Sequence, residues 1–240
     1  MAGTKVEPIV EQLLKISNKK RNKVKEITLD MANSMKQIAR KCFPKAIQVT
    51  DRFHVQKLAI EALQDIRIKH RWEAIDLENE QVKKARVAKK EFIPETFTNG
   101  DTIKQLLARS RYLLYKTPND WTQNQYIRSK ILFEKYPDIK KAYSLVQGLR
   151  NIFNTASSIQ IAYTKLAHWY KDVEKSGFKA FSTIANTITL NYRSILNYFI
   201  NRSTNASAES FNAKIKAFRA QFRGVKNTEF FLFRLTQIFA

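Results

Sequence analysis

A strand–helix–strand pattern near the start of the chain limits the available folds more than any other feature. Residues 26–30 and 46–50 alternate β-branched and apolar side chains with polar ones, which is typical of short strands. Between them, apolar residues recur at helical spacing over residues 35–42, and Pro44 ends that predicted helix. Strands joined in this way form a βαβ unit, so we expect them to be parallel with a right-handed crossover.

From Val55 onward the strand signals nearly vanish and the pattern becomes helical. The predicted helices cover residues 58–90, 102–116, 121–136, 139–154, 158–175, 178–200 and 206–223, with a loop at 91–100. Asp120 is the predicted cap of the third of these helices, and Gly177 ends the fifth. A small βαβ piece followed by a large helical region predicts a predominantly helical α+β chain.

The charge balance narrows the classes of partner. The chain carries 43 Lys and Arg against 21 Asp and Glu, which gives a formal charge of +22. Such an excess favours a polyanionic partner, either nucleic acid or an acidic membrane surface. With 44% apolar and 12% aromatic residues, the chain is not a disordered basic tail.

Several kinds of site are excluded by composition. The single cysteine, Cys42, rules out a disulfide framework and, with only three histidines, an ordinary Cys/His zinc site. The five glycines are too scattered for a glycine-rich phosphate loop. No apolar run approaches the ~18 residues that a membrane helix needs. These features predict a soluble, reduced, intracellular protein.

Two aspartates stand where the predicted strands end. Asp30 follows the first strand and Asp51 follows the second. In open α/β sheets, ligands and catalytic groups collect at the carboxyl ends of parallel strands. An Asp in this position can also simply cap the following helix. Two of them on neighbouring strands shift the balance modestly toward a functional site.

A third carboxylate lies in a strongly basic region near the end of the chain. Glu209 falls in the first turns of a helix that Thr204 or Asn205 is expected to cap, where the helix dipole favours a carboxylate. The predicted buried stripe of this helix is Phe211, Ile215, Phe218 and Phe222, and the residues that share another face with Glu209 are Asn212, Lys216, Arg219 and Arg223. An acid followed by an amide and a line of bases suits a metal ligand beside a phosphate track, and a surface ion pair between Glu209 and Lys216 is the alternative.

His54 follows Asp51 by three residues and allows two interpretations. Asp-x-x-His is half of a metal site, but no second half is visible in the sequence. A structural hydrogen bond that fixes the strand-to-helix corner is the interpretation that we favour.

Four short motifs carry a resemblance to a known family. They are Ile27-Thr-Leu-Asp30-Met31, Phe43-Pro-Lys-Ala46, Val49-Thr-Asp51-Arg-Phe-His54-Val-Gln-Lys57-Leu58 and Asn205-Ala-Ser-Ala-Glu209-Ser-Phe-Asn212-Ala-Lys214-Ile-Lys216. A long helical stretch separates the third motif from the fourth. In this order and spacing they closely resemble the bacterial insertion-sequence DDE transposases of the ISL-three family, over almost the whole chain.

The resemblance implies a ribonuclease-H-like fold in which three carboxylates hold two divalent metal ions, Mg²⁺ or Mn²⁺. Asp30 matches the second catalytic aspartate and Glu209 the final glutamate, so both are expected to be catalytic and to bind metal. Asp51 and His54 match an accessory pair, which with Asn212 is expected to play a supporting role. Asp51 is also the main rival to Asp30 for the second metal ligand. The expected DNA-binding residues are Arg52, Lys57, Lys214, Lys216, Arg219 and Arg223.

The same resemblance implies a partial ribonuclease-H-like α/β core interrupted by a large all-helical insertion. On this basis the core covers residues 1–57, the insertion 58–200, and residues 201–240 return the glutamate to the core. The family's first aspartate belongs to an upstream strand, and only about 25 residues precede residue 26. We therefore expect the carboxyl-terminal part of a transposase, either a split-frame product or a decayed remnant.

The resemblance also sets the expected partners. They are transposon-end and target DNA, an upstream fragment that supplies the first aspartate, and further copies of the chain assembled on DNA in the bacterial cytoplasm, near the nucleoid and without a membrane. Because a carboxylate that bridges two metals is hard to replace, we predict weak metal binding at most and no strand transfer by this chain alone. The alternatives are a non-catalytic basic nucleic-acid-binding protein, an inactive remnant, or a helical scaffold for ribosomal RNA or membrane surfaces, which the βαβ start disfavours.

Overall fold

The computed structural model describes residues 5–222, 224 and 227–239. The chain divides into two compact units, which we call the sheet unit (Met1–Asp51 with Arg202–Ala240) and the helical unit (Arg52–Asn201). In chain order the elements are α1 (Val6–Leu14), α2 (Asn18–Arg21), β1 (Glu26–Leu29), α3 (Asn33–Cys42), β2 (Ile47–Thr50), α4 (Arg52–Val87), α5 (Ile103–Arg109), α6 (Gln123–Lys135), α7 (Pro137–Thr155), α8 (Ile159–Ser176), α9 (Lys179–Leu190), α10 (Tyr192–Leu196), α11 (Tyr198–Asn201), α12 (Ala206–Gln221) and α13 (Thr228–Phe239), with 3-10 turns at Leu113–Tyr115 and Pro118–Asp120. The predicted α+β class with a predominance of helix is confirmed.

The sheet unit contains the βαβ unit that the sequence predicts. β1 and β2 pair in parallel, with Glu26 opposite Ile47 and Leu29 opposite Thr50. α3 connects them and buries its apolar stripe, in which Cys42 is completely inaccessible to solvent. The Arg21 side chain closes the end of α3 by donating from Nη1 to the Cys42 carbonyl oxygen at 2.5 Å.

The helical unit is built around the 36-residue helix α4. An α-helix of that length extends about 54 Å. Its first half buries small and branched side chains, including Ala59 and Leu63, where α4 packs against α7. Its second half is largely exposed beyond Ala74, which accounts for the rising charge of that stretch.

Several helix boundaries differ from the predicted ones, among them those of α4, which runs over Arg52–Val87 where residues 58–90 were predicted. The helix that begins after Thr102 ends at Arg109, and the chain continues through a 3-10 turn. α6 is capped by Thr122 rather than Asp120, because the Thr122 hydroxyl accepts the Gln125 N–H in a capping box. The segment predicted as one helix over residues 178–200 is interrupted after α9, where the side chain of Asn191 donates to a backbone carbonyl of that helix, a competing bond that favours helix ends. Gly177, in contrast, ends α8 in the left-handed conformation as predicted.

A buried carboxylate joins two elements of the helical unit. Asp101 is 0% exposed and accepts hydrogen bonds from Arg109, from Arg128 Nε at 2.7 Å and from Asn99 at 2.9 Å. Burial alone would raise the pKa of Asp101, but these donors and the positive charge of Arg128 outweigh it and lower the pKa. The cluster fixes the start of α5 to α6.

Within the residues that the structure describes, no helix is both long enough and apolar enough to cross a membrane.

A candidate carboxylate site at the end of the sheet

The ends of the two strands bring Asp30 and Asp51 next to each other. Leu29 pairs with Thr50 in the parallel register, and the Asp51 N–H donates to the Leu29 carbonyl oxygen at 2.9 Å. Adjacent strands lie about 4.8 Å apart. The two aspartates are therefore neighbours at the carboxyl edge of the sheet, as the sequence predicts.

Asp30 takes part in a tight turn that leads into α3. Its Oδ1 accepts the Ala32 N–H at 2.9 Å, and Ala32 is the N-cap residue that directly precedes this helix. This is the local Asx-type bond that Asp readily forms after a strand. One carboxylate oxygen of Asp30 is therefore bonded at the start of α3, as expected of an Asp that caps the following helix.

A lysine that the sequence did not single out lies near Asp30. Burial lowers the pKa of the half-buried Lys36 ammonium, the Arg40 guanidinium lowers it further, and the Asp30 carboxylate opposes both. The Asp30 carboxylate thus favours the charged form of Lys36. No sequence pattern marked Lys36, because it sits one turn into α3 among other polar residues.

Asp51 is buried, with 3% of its surface exposed. Its Oδ2 accepts the backbone N–H of Asn205 at 2.8 Å, across 154 residues of sequence. Asn205 is the N-cap residue that directly precedes α12. The carboxyl edge of the sheet and the start of the glutamate helix are therefore directly bonded to each other.

Glu209 lies in the first turn of α12, and its side chain is exposed. Its N–H donates to the Asn205 carbonyl oxygen at 2.8 Å, so the glutamate begins one helical turn from the residue that Asp51 holds. The helix has no side-chain cap from Asn205, and the Ala206 N–H donates instead to the Thr204 hydroxyl at 3.4 Å. Phe218 is buried as predicted, but the prediction for Phe211 is wrong, because 45% of this side chain is exposed.

The other predicted site residues fall into two groups. The first group lies on α12 with exposed side chains and consists of Asn212, Lys214, Lys216 and Arg219. Arg223 lies outside the described residues. Across the described part of the chain, no group of three or more His, Cys, Asp or Glu side chains is arranged to hold a metal ion.

The remaining predicted residues belong to the helical unit and have partners there. His54 is half-buried, with its ring edge-on to Phe53 at 5.6 Å between centroids. Arg52 donates to the Asn154 side-chain oxygen at 3.1 Å, and its guanidinium carbon lies 5.9 Å from the centre of the Tyr198 ring. Lys57 forms an exposed ion pair with Glu61 at 3.7 Å.

A cluster of exposed cations lies at the end of α4, in a stretch whose high charge was visible in the sequence. We call it the α4 basic end, and its members are Lys83, Lys84, Arg86, Lys89 and Lys90. None of the five has an ion-pair partner among the described residues. The helix ends here, with Lys89 in the left-handed region (φ 54°), and the Lys90 N–H donates to the Ala85 carbonyl oxygen at 2.9 Å.

Comparison with known proteins assigns the class. A family model described as "Transposase", that of the ISL-three family of DDE transposases, matches residues 1–235. The chain therefore belongs to this family, as the motifs indicated.

Two curated relatives are transposases for insertion sequence element IS1557 from Mycobacterium tuberculosis, in strains CDC 1551 / Oshkosh and ATCC 25618 / H37Rv. Each is 29% identical over 133 residues, which is 55% of this chain. The matched segment spans only 29% of the length of either relative. No solved structure matches the chain.

Proposed function

We propose that this chain supplies the second aspartate, Asp30, and the final glutamate, Glu209, of a DDE active site. In a complete transposase, an upstream segment adds the first aspartate, and the assembly cleaves transposon-end DNA and transfers the strand. The observation that carries this proposal is the hydrogen bond from Asn205 to Asp51, because it joins the start of the glutamate helix to the strand end beside Asp30.

The donor chemistry at this edge fits a hard divalent cation. Carboxylate oxygens are the ligands that Mg²⁺ and Mn²⁺ prefer. Glu209 is exposed and Asp30 is half-buried, so both carboxylates are accessible from solvent. Asp30 and Glu209 would hold such ions, which would supply activation of the attacking oxygen and stabilisation of the leaving 3′ oxygen. The protein's own contribution is to bring the carboxylates together and to hold the DNA beside them.

The compact sheet unit agrees with a partial ribonuclease-H-like core. It combines the βαβ segment with α12 and α13, which follow about 150 residues later, while the intervening residues form a unit of their own. We therefore propose that the helical unit is an insertion between the second and third catalytic carboxylates. A single chain that leaves and re-enters one compact unit is what such an insertion requires.

Two surfaces are suited to DNA phosphates. α12 presents exposed Lys214, Lys216 and Arg219 on the same helix as Glu209, and the α4 basic end presents five cations on the helical unit. Arg52 and Lys57 are already engaged with neighbours, which makes them the weaker candidates for phosphate contact. Every cation that neutralises a phosphate releases counterions, so binding is expected to weaken steeply as salt rises.

Metal binding by the purified chain tests the catalytic part of this proposal. Free Mn²⁺ is measured by electron paramagnetic resonance at increasing concentrations of wild-type protein, Asp30→Asn, Glu209→Gln and Glu229→Gln. Glu229 is the matched control, because it is also a glutamate in the first turn of a helix of the sheet unit. Asp30→Asn and Glu209→Gln should each weaken Mn²⁺ binding on the order of tenfold, since each removes a carboxylate ligand. Glu229→Gln should leave it unchanged.

A second assay restores the upstream segment. The chain is coexpressed with the segment that carries the first aspartate, and Mg²⁺-dependent cleavage of end-containing DNA is measured. Cleavage that survives Glu209→Gln in this assembly would show that the glutamate is not a ligand of the reaction.

DNA binding is tested with the triple variant Lys214→Gln, Lys216→Gln and Arg219→Gln. The matched control removes three equally exposed cations, Lys171, Lys175 and Lys179, from the helical unit. Fluorescence anisotropy with duplex DNA should give weaker binding and a shallower salt dependence for the α12 variant, by roughly one unit of log–log slope for each phosphate that is no longer neutralised. Equal weakening in both triple variants would mean that net charge, and not α12, determines binding.

The alternative, a non-catalytic basic nucleic-acid-binding protein, is favoured by one observation. Glu209 is exposed, and the described residues form no group of three metal-binding side chains. This alternative predicts unchanged Mn²⁺ binding in both carboxylate variants together with full DNA binding.

A further inference from the structure

We infer that Asp51 is a positioning residue that holds the backbone of Glu209 to the strand end carrying Asp30, and that it is not itself a metal ligand. Its importance for catalysis rests on the function proposed above. Its positioning action can be measured without metal or DNA.

Three hydrogen bonds make Asp51 the junction between the two candidate catalytic carboxylates. The Asp51 N–H donates to the Leu29 carbonyl oxygen at 2.9 Å, immediately before Asp30. The Asn205 N–H donates to Asp51 Oδ2 at 2.8 Å, and the Glu209 N–H donates to the Asn205 carbonyl oxygen at 2.8 Å. This path from one carboxylate-bearing residue to the other therefore runs through Asp51.

The burial of Asp51 explains why this bond is strong enough to position a helix. A carboxylate that is only 3% exposed must be compensated by hydrogen bonds, and a bond from a backbone N–H to a carboxylate is charge-assisted. The first N–H groups of a helix have no partner within the helix, and its dipole attracts negative charge to this end. Asp51 thus caps α12 from a distant part of the sequence, where Asn205 offers no side-chain cap.

Asp51 and Glu209 also differ in how accessible their carboxylates are to a cation. Oδ2 of Asp51 is committed to the Asn205 N–H, and the side chain is inaccessible to solvent apart from a small fraction. Glu209 is exposed and accessible to a cation. Asp30 is half-buried rather than buried, which favours it over Asp51 for the second ligand position.

Three variants distinguish a positioning bond from a metal ligand. Asp51→Asn keeps an oxygen that can accept the Asn205 N–H but removes the charge. Asp51→Ala removes the acceptor. Asn205→Pro removes the donor and leaves Asp51 intact, and the backbone of Asn205 (φ −81°) is close to the value that proline adopts.

The experiment is residue-resolved amide hydrogen exchange on the full chain in metal-free buffer. Asp51→Ala should speed exchange at Asn205 and Glu209 by roughly tenfold, because the bond that holds the start of α12 is gone, whereas amides of β1 and β2 should keep their wild-type rates. Asp51→Asn should stay within about threefold of wild type. Asn205→Pro should speed exchange at Glu209, and combining it with Asp51→Ala should add little, since both remove the same bond.

Mn²⁺ binding by the same variants completes the test. Asp51→Asn should retain most of the wild-type affinity and Asp51→Ala should lose it together with the protection of Glu209. The inference is overturned if Asp51→Ala leaves exchange at Asn205 and Glu209 unchanged. It is equally overturned if Asp51→Asn loses metal affinity as completely as Asp51→Ala while exchange stays at wild-type rates, because that pattern identifies a ligand. Failure of Glu209→Gln to alter metal binding would count against the proposed function and leave the exchange result standing.

Discussion

The helical unit and the sheet unit differ in how much apolar surface each buries. All the largest fully buried side chains of the described chain belong to the helical unit, with Phe153 and Phe181 the bulkiest. Among the described residues of the sheet unit, the buried apolar ones are Ile38, Ala39, Cys42, Val49 and Phe218. Every residue of β1 is only half-buried, although parallel sheets are normally covered on both faces. We therefore expect the sheet unit, which carries the candidate site, to be the less stable of the two units.

The chain contains a separate probe for each unit. All three tryptophans, Trp72, Trp121 and Trp169, lie in the helical unit, so tryptophan fluorescence follows its unfolding. The only cysteine, Cys42, is completely buried in the sheet unit, so the rate at which a thiol reagent reacts with it follows opening of that unit. We expect Cys42 to react at denaturant concentrations below the fluorescence transition.

The largest loss of stability should come from Phe153→Ala. This residue is fully buried and its ring stacks on Phe199 at 5.5 Å between centroids, so its truncation should destabilise the helical unit by about 3–5 kcal/mol. Guanidinium titration followed by fluorescence measures the destabilisation. A matching rise in Cys42 reactivity under native conditions would mean that the two units do not unfold separately.

Asp101→Asn should be next, with a destabilisation of about 3 kcal/mol at neutral pH, because two arginines lose their buried charged partner. The lowered pKa of Asp101 fixes the sign of the pH dependence. Its stabilisation is complete above about pH 4, the ordinary value for Asp, and is lost as the pH falls through the lowered pKa. The stability difference between wild type and variant, from denaturant titrations at several pH values, should therefore shrink below about pH 4. A difference that grows on acidification would contradict this assignment.

Val49→Ala tests the sheet unit in the same way and should cost about 2 kcal/mol. Val49 is the buried apolar residue of β2, with 1% exposed. The rate of Cys42 modification should rise by more than about tenfold, since a destabilisation of that size favours the open form by this much. The fluorescence midpoint should not move. Ile47→Ala, at an exposed position of the same strand, is the control.

The smallest loss of stability is expected from removing the cap of α6. Thr122→Ala should lower the stability of the helical unit by about 1 kcal/mol, because the Gln125 N–H loses its acceptor. Asp120→Ala should change it by less than about 0.5 kcal/mol, since Asp120 lies before the helix in an exposed turn. If Asp120→Ala were instead the more destabilising variant, Asp120 would be the cap of α6, as the sequence predicted.

Much of the fold followed from periodicity. The βαβ unit, the stop at Gly177 and most helices were predictable, because apolar spacing and turn residues specify local structure. The breaks near Arg109 and Asn191 were not, since the Ser110 hydroxyl and the Asn191 side-chain amide each donate to a backbone carbonyl four residues back, in competition with a continuous helix. The exposure of Phe211 was also unpredictable, because a helical stripe gives a face and not its partner.

The candidate site was predictable in its residues and only partly in its roles. Family motifs singled out Asp30, Asp51 and Glu209, and the strand order made the two aspartates neighbours. The bond between Asp51 and Asn205 joins residues 154 positions apart, and no local pattern contains such a bond. Lys36 was missed for a different reason, because its electrostatic interaction with Asp30 depends on how α3 follows the strand.

The cation–π pair of Arg52 and Tyr198 has a consequence for how the chain assembles. It joins the first turn of the helical unit to its last helices. In an unfolded chain, closing a loop of about 150 residues for the bond to Asn205 carries an entropic penalty of roughly 4 kcal/mol. A helical unit that has already folded, with its two ends fastened together, shortens the effective loop to a few residues. Prior folding of this unit therefore lowers the entropic cost of joining the glutamate helix to the sheet, and the two can join only after residues 52–205 have been synthesised.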